Sequence, residues 1–173
     1  MNNAQNFYYT MDMHIPESNE LRNLTAKHGA SLKKKLKKLK KKTPRNLDET
    51  FEELHNEAFE QLDCLNCANC CKTTSPMVFE KDIDRLSQRL KLKPGDFVAR
   101  YLFLDTDGIY AMKSAPCPFL GADNYCSVYE DRPKACREFP HTNHRKMHTV
   151  LHLAEKNIEI CPAVYAIVQK INL

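Results

Sequence analysis

Leucines return at positions 32, 36 and 39 between runs of lysine, the i, i+4, i+7 spacing of one face of a short amphipathic helix. Thr43-Pro44 breaks it, because proline removes a backbone donor and restricts the residue before it. Residues 46–63 resume the period with Leu47, Phe51, Leu54, Ala58, Phe59 and Leu62, while Asp48, Glu49, Glu52, Glu53, Glu57, Glu60 and Asp63 fill the other faces. A basic helix therefore precedes an acidic one. Further on, Asp82 or a neighbour can cap a helix through Ile83, Leu86 and Leu90, and Pro94-Gly95-Asp96 turns into a second through Phe97, Val98, Tyr101 and Leu102. Asp105-Thr106-Asp107-Gly108 reads as a turn. Residues 109–112 and 125–129 read as short strands flanking the Cys117-Pro118-Phe119-Leu120-Gly121 loop, and Arg132-Pro133 opens a helical turn holding Cys136. A last helix from about Pro162 carries Val164, Ile167, Val168 and Ile171. The expected fold class is mostly α (α+β), a small helical domain with a short β-hairpin.

Cysteine changes this picture. Cys64, Cys67, Cys70 and Cys71 form a C-x2-C-x2-C-C run, followed by Cys117, Cys126, Cys136 and Cys161, with none in residues 1–63. Four sulfurs within eight residues are too close for a disulfide ladder but suit thiolates wrapped around an ion or a cluster. C-x2-C-x2-C is the three-ligand bracket of bacterial ferredoxins, where a cysteine followed by proline closes the cluster, and both Cys117 and Cys161 precede proline. Zinc sites more often use paired C-x2-C knuckles, yet zinc also accepts four irregularly spaced thiolates. Zn2+ and an iron–sulfur cluster are thus equally compatible with the spacing. Neighbouring side chains diverge on a helix or a strand, so Cys70 and Cys71 point to two centres, and the expectation is either one cluster with accessory cysteines or two metal ions sharing the eight sulfurs. Arg132, Lys134 and Arg137 lie beside Cys136 and are candidate partners that offset thiolate charge and donate to sulfur.

Composition sets the setting for that chemistry. No stretch approaches the ~18 apolar residues of a membrane span, and residues 1–10 lack a charged-then-apolar export pattern, so a cytoplasmic protein with reduced thiols is expected. Glycine occurs only at 29, 95, 108 and 121, which excludes a P-loop, a G-x-G-x-x-G turn and a G-x-S-x-G elbow. With 173 residues and 42% hydrophobic content, the chain supports one modest core and an appendage. The expected division is a basic N-terminal helical extension over 1–45 and a cysteine-cluster domain over 46–173.

The net charge of +4 conceals the lysine run Lys33, Lys34, Lys35, Lys37, Lys38, Lys40, Lys41 and Lys42. One reading is a solvated helix, or an antiparallel hairpin in which the basic and acidic helices neutralise each other. A second is an arm that displaces counterions from RNA or the ribosome, although no arginine fork or interleaved aromatic is present to read bases. A membrane-surface role is weaker, since the leucine face carries no Trp or Phe. His144, His148 and His152 recur every four residues, a spacing used for metals, but lack a carboxylate companion and read as a solvated or packed stripe. Tyr125, Tyr129 and Phe139 read as core residues around the ligands.

The ordered cysteine set, with Cys117-Pro-Phe-Leu, Arg132-Pro133-Lys-Ala-Cys136-Arg137-Glu-Phe-Pro140 and Cys161-Pro162, resembles the CxxCxxCC family of bacterial cysteine-cluster proteins over about residue 62 onward. The resemblance implies chelation of zinc or iron. Flagellin lysine methylases are similar in carrying a related cluster, but no S-adenosylmethionine motif is recognisable in this shorter chain. The expectation is a metal-stabilised domain that binds zinc or an iron–sulfur cluster through eight thiolates in a structural or accessory role. An RNA- or ribosome-associated module and a redox or protein-modifying enzyme are the alternatives.

Overall fold

The computed structural model describes residues 13–172. The opening stretch 1–10, on which the export argument rested, lies outside the described residues. Nine α-helices and a two-stranded antiparallel sheet are formed among those residues, and no helix is long and apolar enough to cross a membrane.

The longest element is α1 (Ser18–Lys41), which starts well before the lysine run. Glu20 accepts from the backbone N–H of Glu17 at 3.2 Å, holding the first turn, and Thr43 Oγ1 donates back to Leu39 at 3.3 Å where the helix stops. Leu21, Gly29, Leu32, Leu36 and Leu39 are its buried face. The acidic helix α2 (Leu47–Gln61) buries Leu47, Phe51, Leu54 and Ala58, at the expected positions. Both join α8 (Met147–Asn157) and α9 (Pro162–Lys170) in one hydrophobic cluster centred on Tyr165, Phe51, Leu151, Ile158 and Ile167. The expected hairpin of the basic and acidic helices is not the packing adopted. Helix α1 lies against α8 and α9, while α2 packs chiefly on α9. Nor does α1 stand apart as an appendage, since its leucines belong to the main core.

A second, smaller cluster is built from Val78, Ile83, Leu86, Phe97, Leu102, Met112, Phe119 and Val128. It gathers α5 (Glu80–Arg89), α6 (Pro94–Tyr101), β1 (Leu102–Leu104) and β2 (Tyr110–Met112). The strands pair with Phe103 opposite Ala111. Asp105 Oδ1 accepts from Asp107 and Ile109 at 2.9 and 2.8 Å, and Gly108 takes φ +75°, so the predicted turn is the hairpin loop. Two local expectations change. Leu102 leaves the helix for β1, and residues 125–129 form no strand. Gly121 donates to Tyr125 at 2.7 Å, leaving Leu120 and Cys126 as a single bridge before a 3-10 turn at Tyr129–Asp131.

Candidate metal centre

The cysteine run begins with Asp63, whose carboxylate accepts from Leu65 N at 2.9 Å and caps α3 (Cys64–Cys67). Three residues apart on one turn, Cys64 and Cys67 share a face. Ala68 then takes a left-handed conformation at φ 46°, and the chain restarts as α4 (Asn69–Thr73), which holds Cys70 and Cys71. Asn69 Nδ2 donates to the Ile160 carbonyl at 2.6 Å, fastening this reversal to the start of α9, where Cys161 is the buried N-cap at 7% exposure. Cys64, Cys67, Cys70 and Cys161 thereby line one cavity of about 30 Å³, walled by Phe59, Leu62, Phe139 and Pro162.

Of the other four cysteines, Cys117 and Cys126 pack against the smaller cluster. Cys117 N donates to the Cys71 carbonyl at 2.8 Å, and the Leu120–Cys126 bridge folds the loop so that Cys117 and Cys126 stand together. Gly121 permits that fold, because a Cβ there would meet the Asp123 carboxylate at 2.5 Å. Asn124 Nδ2 donates to Asn66 O at 3.0 Å, tying the loop to α3. Cys136 sits on α7 (Lys134–Glu138), anchored where Asp82 accepts from Lys134 N at 3.1 Å.

Burial pushes the thiols of Cys64, Cys117, Cys126, Cys136 and Cys161 up, those of Cys136 and Cys161 to about 12, and neighbouring thiolate charge adds to the shift at each. Opposing contributions come from Arg132 at Cys64, Cys126 and Cys136. Backbone N–H groups are also aimed at sulfur: Phe119 and Leu120 at Cys117, Val128 at Cys126, Ala163 and Val164 at Cys161. Between Cys70 and Cys71 the sulfurs are 4.0 Å apart. Their mutual hydrogen bond raises the Cys70 pKa and lowers that of Cys71, with Lys72 also favouring the Cys71 thiolate.

The donor set therefore fits a thiophilic metal. The short helices and the Cys117 loop bring cysteines of both hydrophobic clusters near one another, and backbone amides two and three positions downstream favour the thiolates of Cys117, Cys126 and Cys161. Among the described residues, no group of three or more His, Cys, Asp or Glu side chains yet stands as a closed ion-binding set. A family model matches residues 63–161, that of the CxxCxxCC putative zinc- or iron-chelating domain. The chain belongs to this family. All eight cysteines of this CxxCxxCC protein lie within the matched span. No curated protein matches the chain, and no solved structure does.

Of the three basic residues expected at the sulfurs, Arg132 is close enough to act on three thiols. Its guanidinium lies 3.8 Å over the Tyr129 ring and donates to Tyr129 O at 2.8 Å. Lys134 instead pairs with Glu138 at 3.5 Å, and Arg137 donates to Arg132 O at 2.7 Å, bracing the arginine from behind. Tyr125 and Tyr129 are corrections, being 58% and 40% exposed rather than core; Phe139 does pack against the main cluster. His148 and His152 are exposed on α8, and His144 precedes that helix, bonded to Arg145 O at 2.6 Å. The lysine run divides. Lys33 pairs with Glu159 at 2.6 Å and Lys37 with Glu155 at 3.2 Å, while Lys35 donates to the carbonyls of Val168, Gln169 and Ile171. Lys34, Lys38, Lys40, Lys41 and Lys42 are exposed.

Three contributors escaped the sequence reading. Lys72 follows the cysteine pair directly and was visible as a neighbouring cation, and its ammonium also reaches Cys67 O at 3.3 Å. Ser18, in the first turn of α1, places its hydroxyl 3.5 Å from the Cys67 sulfur, a contact across 49 positions with no local signature. Asn69, the clamp on Ile160, resembled any polar spacer inside the run.

Proposed function

We propose that this protein is a metal-binding module in which thiolate-held zinc or iron joins two hydrophobic units into one structure. The supporting observation is the position of the cysteines. Cys161 belongs to the main cluster, Cys117 and Cys126 pack against the smaller one, and Cys64, Cys67, Cys70 and Cys71 occupy the short helices between them. Ligands drawn from both sides make metal binding part of folding, with an apparent contribution of ~10 kcal/mol or more for structural zinc. When bound, the metal supplies cross-links and neutralises thiolate charge, and Arg132 and Lys72 offset what remains.

The full chain purified anaerobically, then analysed for metal and by visible absorption, tests this reading. Bound zinc without colour, or iron with thiolate charge-transfer bands, is the expected outcome, with metal removal and loss of cooperative melting occurring together. A chain that melts identically with and without chelator, and takes up neither metal on reconstitution, refutes it.

A further inference from the structure

Resting on that reading, we propose that the eight thiols form two separate four-thiolate centres: Cys64, Cys67, Cys70 and Cys161 in one, and Cys71, Cys117, Cys126 and Cys136 in the other. The cavity carries the first assignment. It is lined by those four cysteines and by none of the others, and its remaining wall is apolar apart from Asn69. Each of the four is brought there by a distinct constraint: Cys64 and Cys67 by one helical turn, Cys70 by the left-handed step at Ala68, and Cys161 by the bond from Asn69 to Ile160.

Cys71 leads away from that cavity. Successive residues on a helix point about 100° apart, and α4 holds Cys70 and Cys71 in succession. The backbone at Cys71 binds Cys117, the Cys117 loop closes on Cys126 through Leu120, and α7, which carries Cys136, is fastened to the smaller unit where Lys134 N donates to Asp82. Cavity lining and backbone hydrogen bonds carry the grouping, and the 4.0 Å between the Cys70 and Cys71 sulfurs makes the two centres adjoining.

Zinc reconstitution of the full chain under reducing, anaerobic conditions tests the partition. The unsubstituted protein is expected to hold about two ions, as two tetrathiolate sites require. Cys64→Ser with Cys161→Ser should halve the zinc content, and so should Cys117→Ser with Cys126→Ser. The crossed pair, Cys64→Ser with Cys117→Ser, should lower it in both centres and leave the least metal of the three. Equal zinc in all three double variants would overturn the partition, as would saturation of the unsubstituted chain at one ion. Because a variant can fail to fold, cadmium-113 resonance of the unsubstituted chain gives a second readout. Two all-thiolate signals are expected, and a single one overturns the proposal. Failure of metal uptake altogether is distinguishable from these results, and it removes the broader reading along with this one.

Discussion

Replacing Lys35 by methionine should destabilise the fold, whereas the same change at Lys34 should not. Lys35 leaves α1 and donates from its ammonium to Val168 O, Gln169 O and Ile171 O at 2.9, 3.0 and 2.8 Å, carbonyls of the last turn of α9 and of its C-cap residue. Those groups have no partners within the helix, and a cation at a helix C-terminus complements the macrodipole. Charged hydrogen bonds contribute ~1.5–3 kcal/mol and a partly buried C-terminal cation up to ~2 kcal/mol, but the two descriptions overlap. Fixing the long side chain opposes them by up to ~2 kcal/mol. Burial pulls the Lys35 pKa below the ordinary lysine value, a sign that desolvation also subtracts. Methionine keeps the apolar stem and removes only the donors. A net loss of ~1–2 kcal/mol follows, or a fall in Tm of roughly 2–8 °C for a chain of this size. Urea unfolding of metal-loaded Lys34→Met and Lys35→Met proteins measures the difference directly. Equal stability of the two variants would refute the capping role and return Lys35 to the solvated face.

Three further outcomes are expected. Asp48 accepts from Lys146 N and Met147 N, both at 2.8 Å, and so caps α8 from α2; Asp48→Ala should lower stability by ~1–2 kcal/mol with Asp48→Asn recovering part of it, and unchanged denaturation midpoints would contradict this. Asp82, 2% exposed, accepts from Phe79 N, Arg85 Nη2 and Lys134 N, so Asp82→Ala should cost ~2–4 kcal/mol and also weaken zinc retention through α7 and Cys136; a melt shifted with zinc affinity untouched would separate α7 from the site. Burial lowers the His55 pKa, with Glu52 opposing, and Thr142 Oγ1 lies 2.8 Å from its Nδ1. The unfolded chain therefore binds the proton more tightly, and the His55 contribution should be intact above about pH 6.5 and decline as pH falls through that value toward the lower folded pKa. His55→Gln should flatten this part of the stability profile, and an unchanged slope would exclude His55 as its source.

Helices whose apolar period was unbroken, or whose first turn carried proline, were legible in the sequence. Leu47, Phe51, Leu54 and Ala58 predicted the buried face of α2, and Pro94 and Pro162 marked the starts of α6 and α9. The first half of α1 was not legible, because its buried stripe passes from Leu21 to Gly29 before reaching Leu32, and a glycine among polar residues carries no apolar signal. Residues 125–129 have the aromatic and β-branched content of a strand, yet the tight loop from Gly121 to Tyr125 leaves room for one bridged pair only. The cysteine inventory was legible from spacing. The folding of the run against Ile160 and of the Cys117 loop against α3 was not, because it depends on Ala68, Asn69 and Asn124, two of which make contacts that reach across tens of residues.

The smaller hydrophobic unit explains why so short a chain would need cross-links at all. Its buried cluster contains eight residues, and its sheet is one short hairpin, a combination that is marginal by itself in water. The chain enters this unit just after Cys71 and leaves it just before Cys136, with Cys117 and Cys126 packed against its inner side. Four thiolates at those positions would close the unit at both of its ends and along its middle. In the same way Cys64 follows α2 and Cys161 opens α9, so the other set would pin the two ends of the long excursion out of the main bundle. Loop closure constrains the unfolded chain most when the bridged segment is long, and the segment between Cys70 and Cys161 spans half of the sequence. Placed at those two closures, metal ions would supply the stability that a small core and a two-stranded sheet cannot.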